Sequence, residues 1–138
     1  MEPSLDKIML VDDNKSTNFF NKYLLTKWGF KGEIVVATNG AEAMEYIDSG
    51  STTPNLIFLD LNMPVMSGFS FMKDSYVKLE NTTTLILVMM GVNASTEKTE
   101  EIKSYSNTKI INQKMLTPEI LDQVFSAYAD RHLLINQA

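Results

Sequence analysis

The sequence predicts an α/β domain whose open, doubly wound parallel sheet of five strands is covered by helices on both faces. Three observations carry that expectation. Five short β-rich runs alternate with stretches of helical spacing, and alternating strands and helices close into a parallel sheet through right-handed crossovers. Two of the runs, Leu56 to Leu59 and Leu85 to Val88, are apolar at every position, as strands buried on both faces are. The length of 138 residues is close to the ~150 typical of one domain.

The first strand is read at Lys7 to Val11 and the second at Glu33 to Ala37. Between them a helix carries Phe20, Leu24 and Trp28 on one stripe and stops at Gly29, where a left-handed cap costs least. A second helix runs from about Ala41 with Met44 and Ile47 turned inward, and a third strand follows at Asn55 to Leu59. The third helix comes after Gly68, with Phe69, Met72, Tyr76 and Leu79 at i, i+3, i+7 and i+10. A fourth strand, Leu85 to Met90, precedes a helix within Ala94 to Tyr105 whose large apolar residues are Ile102 and Tyr105 alone. Glu97, Lys98, Glu100, Glu101 and Lys103 solvate the rest of it, so it is expected to be the least firmly docked. The fifth strand, Lys109 to Ile111, leads to Thr117-Pro118, an N-cap residue with proline at N1, and then to Ile120, Leu121, Val124, Phe125 and Tyr128 on a core stripe.

Composition narrows the function classes. With 44% hydrophobic and 21% charged residues, 6 glycines and 4 prolines, the chain is neither disordered, collagenous nor low in complexity. Zero cysteine excludes disulfides, thiolate zinc sites, iron–sulfur clusters and cysteine nucleophiles. The longest apolar run, Leu85 to Met90, falls far short of the ~18 residues of a spanning helix. The start carries Glu2 and Asp6 and lacks the basic leading region of a signal peptide, so a cytoplasmic location without membrane insertion is expected. A formal charge of −5 opposes attraction to polyanions, so direct nucleic-acid binding is not expected.

In open parallel sheets, ligands sit at the carboxyl ends of the strands where the winding reverses. Asp12-Asp13-Asn14 follows the first strand and Asp60 follows the third. If the strand order is 2-1-3-4-5, those two strands are neighbours and three carboxylates share one small volume. Folding alone gives no reason for such a cluster, and a divalent cation or a lysine is the usual way to keep it ionised. Oxygen-only ligands favour Mg2+ over zinc. For Asp13 or Asn14 taken alone, an ordinary helix N-cap or loop role is the alternative. Lys114, after the fifth strand, is a point charge able to reach an anion beside Asp60. Asp60 ends an apolar strand before Leu61-Asn62-Met63-Pro64, and its carboxylate is expected to be exposed there, suited to attack phosphorus and form an aspartyl phosphate.

From Lys7 to Tyr128 the chain resembles the receiver domain of two-component response regulators. The segments that carry the resemblance are I-M-L-V-D-D-N (Ile8 to Asn14), A-T-N-G-A-E-A-M (Ala37 to Met44), L-D-L-N-M-P-V-M-S-G (Leu59 to Gly68) and K-M-L-T-P-E-I-L (Lys114 to Leu121). Together they are specific, whereas an isolated Asp-Asp or Met-Pro would be weak. The resemblance implies a flavodoxin-like fold and one chemotaxis-regulator-like receiver unit over residues 1–138, with a core from about 7 to about 130 and no output domain. It implies a signalling phosphoacceptor rather than an enzyme acting on other molecules. Asp60 would be the phosphoacceptor, Asp12 and Asp13 the acidic pair, and Lys114 the phosphate contact. Mg2+ would be held by Asp13, Asp60 and the Asn62 main-chain carbonyl, with Asp12 acting through water. The implied partners are a sensor histidine kinase or histidine phosphotransfer protein and a downstream protein target, and a weak homodimer is compatible with the reading.

Departures from the family pattern open a second reading. Where the family carries Thr or Ser at the end of the fourth strand, this chain has Met90 when counted from Asp60 and Met89 when counted from the strand start, and neither can donate a hydrogen bond. Ile111 stands where an aromatic switch residue is expected, and Met115 stands where a proline follows the lysine. The family's lysine–proline peptide is usually cis, but a non-proline cis bond costs roughly 3 kcal/mol, so Lys114–Met115 is expected to be trans. A pseudo-receiver, the same fold used as an interaction module without phosphorylation, is therefore the alternative. An electron carrier of the flavodoxin type is disfavoured, because Asp12-Asp13 would repel a flavin phosphate. An esterase reading of Gly68-Phe69-Ser70-Phe71-Met72 fails for want of the second glycine.

Overall fold

Five β-strands alternate with five α-helices in the computed structural model, which describes residues 5–61, 63, 66–90 and 96–136. The elements are β1 (Lys7–Val11), α1 (Lys15–Trp28), β2 (Glu33–Ala37), α2 (Gly40–Asp48), β3 (Leu56–Asp60), α3 (Gly68–Leu79), β4 (Leu85–Met89), α4 (Thr96–Lys103), β5 (Thr108–Ile111) and α5 (Pro118–Asn136). All neighbouring strands are parallel, in the order β2-β1-β3-β4-β5. The expected order is therefore the observed one, and β1 and β3 lie side by side.

Alternation along the strands explains why β4, and β1 and β3 apart from Lys7 and Asp60 at their ends, are apolar. Met9, Val11, Ile57, Leu59, Ile86 and Val88 pack in one layer with Ala43 and Ile47 of α2, Phe71, Met72 and Leu79 of α3, and Ile102 of α4. Their strand neighbours Ile8, Leu10, Leu56, Phe58, Leu87 and Met89 face the other way, against Leu25 of α1 and Leu121, Val124 and Tyr128 of α5. Each such side chain removed from water contributes roughly 1.5–3 kcal/mol. Local signals set the helix starts: Asn14, Asn39, Ser67 and Thr117 accept bonds from the main-chain N–H three residues on. Gly29 ends α1 at φ 118°, and its N–H reaches the carbonyls of Leu25 and Thr26.

Two expectations are corrected. β3 ends at Asp60 instead of before it, because Asp60 is still in register with Met89. In α1 the buried residues are Asn18, Asn21 and Leu25, while Phe20 is 41% exposed and Leu24 and Trp28 are half-buried. The helix is rotated relative to its most apolar stripe because two polar side chains of its inner face have partners near the strand ends.

At the amino ends of the strands, opposite Asp60, two side chains tie the layers together. Asn55 accepts the N–H groups of Asp6 and Lys7 and donates to the Tyr128 hydroxyl. Arg131, 7% exposed, donates to the carbonyls of Leu79, Glu80, Thr82, Thr84 and Ser106. Among the described residues, no helix is long and apolar enough to cross a membrane.

Candidate functional site

The carboxyl ends of β1 and β3 bring Asp12, Asp13 and Asp60 together, with one carboxylate oxygen from each lying within 4.8 Å of the other two. Asp12 is fixed on three sides. Its N–H donates to the Ala37 carbonyl, its own carbonyl accepts Asn18 Nδ2 at 2.8 Å, and its Oδ1 accepts the Asn14 N–H at 2.8 Å. Burial pushes the Asp12 carboxyl above the usual carboxylate range; the negative charges of Asp60 and Asp13 add to this, while the Asn14 N–H and Lys114 oppose it. An added positive charge is what this cluster favours. Oxygen donors at this spacing suit a hard divalent cation, so the site could hold a metal.

Asp60 is 6% exposed, in contrast to the expected open carboxylate. The start of α3 closes over its main chain: a Cβ on Gly68 would come to 2.0 Å from the Asp60 carbonyl oxygen, so only glycine fits there. Lys114 closes over its side chain, with Nζ 2.8 Å from Asp60 Oδ1. The Lys114 side chain itself is 48% exposed. The lysine and all three aspartates predicted from strand ends are thus assembled in one place. Asn62, expected to offer its carbonyl, lies outside the described residues.

The departures are placed as well. Met89 is in register with both Asp60 and Ile111, so the three form a row across β3, β4 and β5. Met90 follows, packs in the opposite apolar layer, and donates its N–H to the Ile111 carbonyl. Both methionines and Ile111 are buried, and none carries a side-chain donor. The Lys114–Met115 peptide is trans, since no cis bond occurs among the described residues, and Met115 is exposed.

Sequence reasoning missed Asn18 and Asn21, which sit one turn apart on the inner face of α1. Asn18 grips the Asp12 carbonyl, and Asn21 Oδ1 accepts the Leu116 N–H at 3.2 Å, just beyond Lys114. Two asparagines at i and i+3 beside a buried leucine were the available signal. It missed the close fit of Gly68 too, whose partner is main chain.

The profile of the response regulator receiver domain family matches residues 8–125. Chemotaxis protein CheY of Thermotoga maritima is 30% identical over 90 residues, which cover 64% of this chain and 71% of that protein. The sensor histidine kinase CheAY of Helicobacter pylori is 27% identical over 103 residues, 73% of this chain, and the match spans only 12% of that longer protein. Among solved structures, chemotaxis protein CheY4 of Vibrio cholerae superposes with a TM-score of 0.73 at 29% identity, covering 91% of this chain and 99% of that one.

Proposed function

Because the chain belongs to the response regulator receiver domain family, we propose that it accepts a phosphoryl group on Asp60 from a sensor histidine kinase or histidine phosphotransfer protein, and signals through protein–protein contacts. The observation that carries this reading is the pairing of Lys114 Nζ with Asp60 at 2.8 Å inside the cluster of three aspartates. An Asp60 carboxylate oxygen attacks the phosphorus of a phosphohistidine. The oxygen–phosphorus bond forms as the phosphorus–nitrogen bond breaks, and the electron pair returns to the imidazole. Lys114 is the side chain placed to neutralise the phosphoryl oxygens.

Asp12, Asp13 and Asp60 fit Mg2+ through their oxygen-only donor set, and the Asn62 carbonyl belongs to the same expected set. Bound there, Mg2+ would supply positive charge against the transferring phosphoryl group. The chemistry is confined to the protein's own Asp60, so the chain is a switch, not an enzyme with turnover on other substrates. The kinase side is expected nearer α1, and a downstream protein target would read α4, β5 and α5. A cytoplasmic setting suits these partners.

The buried Met89 and Met90, which offer no hydroxyl near Asp60, favour a second reading, that of an interaction module working without phosphorylation. Incubation with acetyl phosphate and Mg2+, followed by intact-mass spectrometry, separates the two. A single phosphoryl adduct that Asp60→Ala abolishes supports the receiver. No adduct on the unaltered chain supports the module, and an adduct that survives in Asp60→Ala sinks the assignment of the acceptor.

A further inference from the structure

We infer that Asn21 of α1 is a positioning residue for Lys114, anchoring the loop that carries the lysine. The inference rests on the proposed phosphoryl acceptance at Asp60. The loop leaves β5 after Ile111 and enters α5 at Pro118, and Asn112 to Met115 are exposed. The Lys114 side chain is half exposed, so the place of its ammonium depends on where the loop holds its backbone. Met115 has none of the fixed φ that a proline would impose at that point. The main chain is instead held at Leu116, whose N–H donates to Asn21 Oδ1 at 3.2 Å across a sequence separation of 95.

Both partners are buried, Asn21 at 5% and Leu116 at 1% exposure. A buried N–H without an acceptor is costly, and so is a buried amide without a donor, so each group accounts for the other. At position 21 a leucine or alanine would be the better helix former, and either would suit a core-facing position. The polar residue therefore has a reason beyond the helix. Asn18, one turn earlier, reaches the Asp12 carbonyl. α1 thus braces both sides of the charged cluster, the acidic side through Asn18 and the lysine side through Asn21.

A purely structural role for Asn21 predicts a different outcome from a positioning role in a double-mutant cycle. The rate of adduct formation with acetyl phosphate and Mg2+ would be measured for the unaltered protein, Asn21→Ala, Asn21→Asp, Lys114→Ala and the Asn21→Ala/Lys114→Ala pair, with urea midpoints for each. Loss of one neutral anchor is expected to slow Asn21→Ala roughly fivefold, while Asn21→Asp, which keeps Oδ1, recovers most of the rate. With Lys114 already removed, Asn21→Ala should change the rate by less than about twofold. Equal slowing with and without Lys114, or equal slowing in Asn21→Ala and Asn21→Asp, would overturn the proposal.

The Lys114 ammonium resonance and the exchange of the Leu116 amide, read by NMR without any phosphodonor, give an answer that does not depend on phosphorylation. Asn21→Ala, or Asn21→Asp if the alanine variant does not fold, is compared with the unaltered protein. A displaced lysine signal and a faster-exchanging Leu116 amide in Asn21→Ala, or their retention in Asn21→Asp, support the anchor. A lysine signal unmoved by Asn21→Ala, or lost in Asn21→Asp, overturns it. If the unaltered protein takes no phosphate, the functional reading falls while these resonances still decide the positioning claim.

Discussion

Asp13 is the exposed member of the aspartate trio, and its charge works against its neighbours when no cation is present. Asp13→Ala is therefore expected to leave the metal-free protein as stable as before or up to ~1 kcal/mol more stable. The same variant should bind Mg2+ more weakly. Urea denaturation with and without Mg2+ checks both halves, and a clear loss of stability without the metal would make Asp13 a structural residue. The trio and Lys114 were legible in the sequence because each lies at or just past the carboxyl end of a β-rich run, where open parallel sheets place their ligands. Asn21 and Gly68 were not legible in this way. Their partners, the Leu116 N–H and the Asp60 carbonyl, are main-chain groups that every residue possesses, so no residue type at positions 116 or 60 announces them. The burial of Asp60 was missed for a different reason, since its cover comes from beyond its own strand, from the start of α3 and the Lys114 side chain after β5.

At the scale of elements, α2 begins with a reciprocal cap. Asn39 accepts the Glu42 N–H, and Glu42 accepts both the N–H and the hydroxyl of Thr38. These donors hold the Glu42 carboxyl below the usual glutamate range. The unfolded chain therefore takes up a proton at higher pH than the folded one. The stabilisation is complete above the unfolded pKa and disappears as pH falls through the folded value. Glu42→Gln should cost about 0.5 kcal/mol at pH 7, and the gap from the parent should narrow as the pH is lowered and Glu42 takes up its proton, as urea midpoints across an acid pH series will record. At α3 the constraint is steric. Gly68→Ala forces a methyl group against the Asp60 carbonyl and should cost about 1–3 kcal/mol in thermal unfolding. It should slow the proposed phosphorylation too, because the same shift moves Asp60. Helix positions were readable from caps and glycines, but the orientation of α1 was not. Hydrophobic spacing favoured the side bearing Phe20, whereas hydrogen bonds at the strand ends turned Asn18 and Asn21 inward.

Across the whole molecule, the site and the α4, β5 and α5 face are joined by the row Asp60, Met89 and Ile111. A hydroxyl in that row could follow a phosphoryl oxygen; a thioether and an isobutyl-sized chain cannot. A hydrogen bond to a charged oxygen is worth about 1.5–3 kcal/mol, so its absence removes a bias of roughly tenfold or more between two states. Amide shifts on adding beryllofluoride and Mg2+ should therefore stay near Asp12, Asp60 and Lys114 and be small along Thr96–Lys103. Large shifts throughout α4 would mean that the switch runs by another route. At the far end of the sheet, Arg131 carries a consequence for the order in which the molecule assembles. The carbonyls it binds lie from 25 to 52 positions upstream. The guanidinium can reach them only when α5 folds back onto segments that have already met, which makes this joint a late event in folding. Arg131→Ala should leave the folding rate nearly unchanged and speed unfolding about 30-fold, the kinetic image of ~2 kcal/mol. Stopped-flow rates across a urea series test this, and a folding limb that slows as much as unfolding accelerates would place the joint in the nucleus instead. During synthesis, those carbonyls stay in water until residue 131 has emerged, so the amino ends of the strands are where a half-made chain remains open the longest.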